Sequence, residues 1–470
     1  MTGRKEEQRL LLDLAQREEP ELVVVYGRRR VGKTYLIRET FENKFFFSYT
    51  GIANINAKQQ IKEFTRTLYE HGWKPNDDFD IPKNWFDAFH VLRSLIIDAD
   101  KGERIIIFID EIPWMDNKKS DFIPAFENFW NGWASSRKNI MLIICGSAAS
   151  WITKKIFRNK GGLYNRVTRQ IALKPFTLKE CKEYYQSKDI NMNTQDIIES
   201  YMIFGGIPYY LQMLEKRFSL SVNTDKLCFG ESAPLKYEFE RLMETLFLNS
   251  SKYIEVLEVL HTKKKGLTRE AIANHVNFGN GGNLTKILKE LDECGFIRKY
   301  KSYGKIKNGF FYRLADPFSA FHLTFIKNTN NEKYWSSFTD NAVHRAWSGY
   351  AFEQVCLAHI PEIKKEIGIS AVHTDVSSWV CRNVEKGAQI DLIIDRADRV
   401  INLCEIKFYN GSYEIDKTYE MNLRNKIEVF RSETKTRKAL HLTMITTYGV
   451  KPGKHTGIVQ SEVNMDELLG

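Results

Sequence analysis

The sequence has 470 residues, and at roughly 100–200 residues per domain that length predicts about three domains rather than one. With 43% hydrophobic and 27% charged residues it carries apolar material for several cores, which excludes wholesale disorder. The 69 Lys+Arg against 59 Asp+Glu give a net charge of +10 and a pI near 9.0, a balance that favours acidic partners such as nucleic acid.

No stretch reaches the roughly eighteen consecutive apolar residues of a membrane-spanning helix, and the opening MTGRKEEQRL has no apolar signal region. The seven cysteines are scattered and form no C-x-x-C pair, which argues against a disulfide framework and a zinc site. The expected setting is a reducing cytoplasm, without a membrane partner.

Between Glu21 and about Phe176, short apolar runs alternate with helical stretches. The runs Glu21–Tyr26, Lys44–Tyr49, Arg104–Ile109, Ile140–Cys145 and Arg169–Leu173 predict the strands of a parallel sheet covered on both faces. Residues 1–175 are thus expected to form an α/β domain. Residues 176–248 read as helices, broken at Gly205-Gly206-Ile207-Pro208, and predict a helical lid. Over residues 249–315, Ile254, Leu257 and Leu260 have helical spacing, Leu267 to Val276 is a second amphipathic stretch, and Leu284, Ile287, Leu288 and Leu291 lie along a third. The strand-like runs Phe296–Tyr300 and Gly309–Leu314 then flank a Gly/Lys-rich turn. Three helices and a hairpin predict a winged helix. Residues 316–470, helical and aromatic-rich at first and α/β from about Ala371, make the last domain.

The segment VVVYGRRRVGKT satisfies G-x-x-x-x-G-K-[ST] with Gly27, Gly32, Lys33 and Thr34, after a strand and before a helix. Backbone amides of such a loop, with the helix N-terminus, cradle phosphates; Lys33 neutralises phosphate oxygens and the Thr34 hydroxyl ligates Mg²⁺. Arg28, Arg29, Arg30 and Val31 fill the loop, the arginines adding a positive field. In RIIIFIDE the strand ends in Asp110, placed to hold the Mg²⁺ shell, and Glu111, placed to polarise the attacking water. Ser147, after the next strand, either contacts the γ-phosphate or ends the strand in a turn. The stretch Trp151–Gln170 holds six basic residues and no acidic one. Its Arg166 and Arg169 are candidates for an arginine finger, against the plainer reading of a basic surface loop.

In the winged-helix segment, Asn283, Thr285, Lys286 and Lys289 are expected on the exposed face of a recognition helix. The wing, Phe296–Arg313, carries Arg298, Lys299, Lys301, Lys305, Lys307 and Arg313 with no acid, a strip suited to DNA phosphates. Near the C-terminus, AQIDLIIDRADRVINLCEIKF predicts a hairpin with its turn at Arg396–Arg399 and with Asp391 opposite or one step from Glu405. Glu405 and Lys407 share a face by the period of two. Asp391 and Glu405 would hold a divalent metal, Mg²⁺ or Mn²⁺, with Lys407 stabilising charge at the reacting phosphate and Glu353, on an upstream helix, supplying a third acid.

The loop GRRRVGKT, the Asp110-Glu111 pair in IDEIPWM, the GSAASWI turn and the GGIPYYL stretch together resemble the archaeal-type ATPase family, a branch of the AAA+-related P-loop ATPases. The resemblance implies ATP and Mg²⁺, a trailing winged helix and a restriction-endonuclease-like C-terminal domain similar to PD-(D/E)xK nucleases. Its pattern falls on Glu353, Asp391, Glu405 and Lys407, with Ile390 where that superfamily has its naming proline. The leading expectation is an ATPase, possible as a homo-oligomer, whose nucleotide state controls DNA binding and a metal-dependent nuclease. The alternative is an ATP-gated DNA-binding or signalling switch without nuclease activity, and a third reading is an ATP-driven remodeller of protein partners.

Overall fold

Strands that run parallel must be joined through crossovers, which cover both faces of the sheet and demand apolar side chains on both. The first unit of the computed structural model obeys this. The structure describes residues 2–74, 81–117, 120–158, 162–304, 310–337, 342–381 and 387–470, in two compact units, Met1–Pro175 and Phe176–Gly470.

In the first unit, β1 (Glu21–Tyr26), β2 (Phe47–Thr50), β3 (Ile105–Asp110), β4 (Ile140–Gly146) and β5 (Arg169–Ala172) form one sheet in the order β2-β3-β4-β1-β5, parallel throughout. Every residue of β4 and all but the last of β1 are buried. Strand β2 begins three residues later than expected, because Glu42 and Asn43 take left-handed backbone and turn the chain before Lys44. The helices Ala57–Glu70, Trp85–Ala99 and Phe122–Gly132 cover one face with an aromatic cluster in which Trp85 meets Phe64 and Phe122 edge-on. The first begins with a capping box between Asn56 and Gln59, and Asn84 caps the second through the Asp87 amide. This layering brings the carboxyl ends of β1, β3 and β4 together, where ligands of open parallel sheets are bound.

The second unit opens with the helices Leu178–Ser187, Thr194–Phe204, Pro208–Leu211, Leu220–Cys228 and Glu238–Leu246. Gly205 and Gly206 are both left-handed, with φ of 66° and 65°, and Pro208 starts the helix that follows. Next come the helices Ser250–Thr262, Arg269–Ala273 and Gly282–Glu293 and an antiparallel hairpin of β6 (Ile297–Lys301) and β7 (Phe310–Leu314). The expected start of the second hairpin strand, Gly309, and Lys305 and Lys307 lie outside the described residues, as does Lys160 of the earlier basic stretch.

After the helices Pro317–Thr324, Ala342–Ala358 and Ile360–Glu366, a second sheet forms from β8 (Thr374–Cys381), β9 (Ala388–Arg396), β10 (Val400–Lys407), β11 (Ala439–Thr446) and β12 (Val459–Val463), in the order β12-β11-β10-β9-β8. Its first three strands are antiparallel and its last two pairings parallel, so the helix Lys417–Thr434 is the crossover between β10 and β11. Trp379, Ile390, Ile393, Ile401, Leu403 and Phe430 pack between sheet and helix.

The divisions expected at residues 248 and 315 fall inside this unit, and its hydrogen bonds show why it holds together. Asp225 accepts from the Trp335 amide at 2.7 Å, and His359 Nε2 accepts from the Leu178 amide at 2.9 Å. The hairpin also joins the sheet edge: Ser302 bridges Ser378 of β8, and the Tyr303 amide donates to the Ser378 carbonyl at 2.9 Å. Among the described residues no helix is long and apolar enough to cross a membrane.

A Cβ at Gly206 would lie 2.3 Å from the Phe176 carbonyl oxygen, on left-handed backbone. Gly206→Ala is expected to destabilise the second unit by roughly 1–3 kcal/mol, read as a lower urea midpoint in circular dichroism.

Candidate functional site

The phosphate loop leaves β1 at Gly27, where φ is 147° and a Cβ would lie 2.2 Å from the Leu173 carbonyl oxygen. Only glycine lets the loop pass β5 this closely. Arg30 and Gly32 then take left-handed backbone, and Gly32 caps the helix Lys33–Thr40, so the helix's unpaired first amides open into the loop. Lys33 is buried, and its Nζ donates to the carbonyls of Gly27 (3.0 Å) and Arg28 (2.9 Å). Arg28 and Val31 are buried, whereas the Arg29 guanidinium stands 5.9 Å from the centre of the Trp114 ring.

Asp110 ends β3 and is buried; its Oδ2 accepts from the Thr34 hydroxyl at 2.7 Å, and its Oδ1 from the Glu111 amide at 2.9 Å. Glu111 is itself left-handed, with φ of 46°, which turns its side chain across toward β4. There its Oε2 accepts from the Ser147 hydroxyl at 2.9 Å and the Ser147 amide at 3.2 Å. The expected residues Gly27, Gly32, Lys33, Thr34, Asp110, Glu111 and Ser147 are thus gathered at one end of the sheet. They suit a magnesium–nucleotide complex: Thr34 and Asp110 present hard oxygens at one point, Lys33 a buried ammonium, and Gly27 the close passage by Leu173 that holds the loop in place.

Arg166 and Arg169 are not brought there. Both are exposed, and Arg169 pairs with Val23 at the start of β5, three residues before the loop end of the sheet. A finger role in the same chain is not what this placement offers.

The second cluster lies in the C-terminal sheet. The pairs Ile401↔Asp395 to Cys404↔Leu392 fix the hairpin register, and Glu405 and Asp391 are the next residues on their strands. Glu353 comes from the helix Ala342–Ala358. The three acids do gather, but each faces a cation of the protein. Arg313 Nη1 pairs with Glu353 Oε1, and its Nη2 lies 3.5 Å from Asp391 Oδ1. Lys426 Nζ stands 2.7 Å from Glu405 Oε2 and Lys407 Nζ 3.2 Å from Glu405 Oε1, which also accepts from the Tyr419 hydroxyl at 2.7 Å.

Burial, with Asp391 beside it, raises the Glu353 carboxyl to about 7 even against Arg313. Burial works the same way on Glu405, but Lys426 and Lys407 outweigh it and hold that carboxyl below its ordinary range. Among the described residues no set of three His, Cys, Asp or Glu is arranged to hold a metal; the acids expected to hold Mg²⁺ or Mn²⁺ are paired instead with Arg313, Lys407 and Lys426.

Arg313 therefore departs from the expected DNA-facing strip: its side chain is 4% exposed. Tyr300 is also buried, whereas Lys299 and Lys301 are exposed. Asn283, Thr285, Lys286 and Lys289 all stand exposed on their helix. Thr285 accepts from Arg269 at 2.8 Å, and Lys286 and Lys289 lie 3.9 and 3.8 Å from Glu290 and Glu293. Sequence reasoning missed Tyr419 and Lys426; their spacing of seven along one helix face is the signal that marks them.

A parallel five-stranded sheet with a G-x-x-x-x-G-K-T turn after β1 and Asp-Glu after β3 defines a P-loop ATPase domain. Residues 1–214 match the family described as an ATPase domain predominantly from Archaea. This part of the chain is similar to that family, and the protein is an ATP-hydrolysing enzyme. Residues 318–420 match a family described as archaeal and bacterial proteins of unknown function. An uncharacterized protein of Methanocaldococcus jannaschii is 27% identical over 99% of this chain and 98% of its own. The Walker-type ATPase of Pyrococcus abyssi is 19% identical, with 69% of this chain and 96% of that one covered at a TM-score of 0.46. The ORC2 protein of Aeropyrum pernix in ADPNP and ADP complexes is 11% identical, with 70% and 94% covered at 0.41.

Gly27→Ala is expected to lower ATP affinity by about tenfold or more, because the added methyl pushes the loop off the Leu173 carbonyl. Titration with a fluorescent ATP analogue checks it, with an unchanged circular dichroism spectrum as the control.

Proposed function

We propose that ATP hydrolysis in the first unit controls DNA contact by the second unit and a phosphodiesterase-type site in its C-terminal sheet. The observation that carries this reading is that Asp391 and Glu405 are the residues next to the last β9–β10 pair, Leu392↔Cys404, with Lys407 on Glu405 and Arg313 joining Asp391 to Glu353. The antiparallel β8-β9-β10, the crossover helix and parallel β11 agree with the expected PD-(D/E)xK-like core, and the three helices and hairpin of residues 250–314 with a winged helix. The exposed face of Asn283, Thr285, Lys286 and Lys289, with Lys299 and Lys301 on the hairpin, is the candidate DNA surface.

At the phosphate loop, Lys33 and the helix amides would hold the phosphates, and Thr34 and Asp110 would hold Mg²⁺, whose charge would offset that of the phosphates. Glu111 orients the attacking water and takes its proton as the water oxygen bonds to the γ-phosphorus and the bond to the β–γ bridging oxygen breaks. Ser147, donating to Glu111 at 2.9 Å, sets where that carboxylate points. Arg166 or Arg169 would serve as a finger only toward a second copy of the chain, a role that requires a homo-oligomer.

The pairing of Glu353, Asp391 and Glu405 with protein cations favours one second reading, an ATP-gated DNA-binding or signalling switch that does not cut.

Glu111→Gln is expected to retain ATP binding and to lose hydrolysis by roughly 10²–10⁴-fold, measured as phosphate release. The wild type is expected to nick supercoiled plasmid with ATP and Mg²⁺ or Mn²⁺, and Asp391→Ala or Lys407→Ala to abolish nicking. Nicking that survives in both variants removes the phosphodiesterase assignment, and absence of nicking under all these conditions favours the switch.

A further inference from the structure

Arg313 is built into its position from every side. It belongs to β7, which the Leu267 amide and carbonyl pin through Tyr312 at 3.1 and 2.8 Å. Its Nε donates to the Lys265 carbonyl at 3.3 Å. Gly266, at φ of 82°, leaves it room, since a Cβ there would lie 2.8 Å from Arg313 Cγ. The guanidinium carbon lies 5.2 Å from the centre of the Tyr300 ring, a cation–π contact that steadies a buried charge. From this seat the guanidinium reaches Glu353 and Asp391 together.

Two carboxylates brought together, one of them largely buried, repel unless one takes up a proton or a cation lies between them. A divalent ion and a guanidinium are alternative ways to supply it, and both do not fit between the same oxygens. Resting on the phosphodiesterase-type reading of this site, we infer that Arg313 is an internal latch: it holds the cation position between Glu353 and Asp391, so that docking of the β6–β7 hairpin and loading of a divalent metal exclude each other. The contact is loose on one side, with 3.5 Å to Asp391, a third of whose side chain is exposed. The hairpin carries Arg313 and also extends to the edge of β8 through Ser302 and Tyr303. On this inference a hairpin displaced from its seat would carry the internal cation away with it.

The test is Mn²⁺ binding by the nucleotide-free, full-length protein, followed by loss of the free-ion electron paramagnetic resonance signal and by titration calorimetry. Arg313→Gln is expected to bind Mn²⁺ about tenfold or more tightly than wild type, and Arg313→Gln with Asp391→Asn to lose the gain. Wild type that already binds Mn²⁺ through Asp391 overturns the latch and leaves the phosphodiesterase site standing. A folded Arg313→Gln protein that binds no additional Mn²⁺ overturns the latch and the metal site together. If Arg313→Gln fails to fold, Arg313→Lys decides: its ammonium keeps a charge but does not span both carboxylates. Affinity for Mn²⁺ equal to that of wild type then overturns the latch.

Discussion

Parallel strands cannot be joined by a tight turn, and both candidate sites depend on that constraint. In the first unit every strand must return through a crossover, so the loops after β1, β3 and β4 open at one edge. That edge receives Lys33 and Thr34 from one loop, Asp110 and Glu111 from another and Ser147 from the third. In the second unit the constraint acts once at the cluster, between β10 and β11, whose parallel pairing requires the helix Lys417–Thr434. That helix brings Tyr419 and Lys426 onto Glu405. An antiparallel β11 would have needed only a short turn, and Glu405 would have lost two of its partners.

Much of the first unit was legible because buried parallel strands must be apolar on both faces, so Ile105–Asp110 and Ile140–Gly146 declare themselves as uninterrupted runs. The phosphate loop was legible because glycine, lysine and threonine are each required at fixed offsets by backbone geometry and charge. The register of β9 and β10 followed from a local turn. Arg313 was not legible, since nothing in an alternating, basic strand tells a phosphate-facing arginine from one turned inward toward Glu353, forty residues away in the chain. Its direction is set by tertiary packing, through Gly266 and Tyr300. The domain boundaries near 248 and 315 are expected where composition shifts, and composition gives no sign of the contacts of Asp225 with Trp335 and Leu178 with His359 between the flanking segments.

The charge of the chain gains a different meaning from these contacts. An excess of +10 suggested surfaces free for nucleic acid, but part of it is spent inside: Arg313, Lys407 and Lys426 face Glu353, Asp391 and Glu405. Lys286 and Lys289 likewise lie beside acids on their own helix, though as exposed pairs they contribute little to stability.

The bridge between Ser302 and Ser378 has a further consequence. Strand β8 is the edge of its sheet, and an edge presents a row of unpaired amides and carbonyls to any strand that arrives. The end of the hairpin covers part of that row. If the hairpin were lifted, a strand edge would be bared together with the acid pair, so one element covers both.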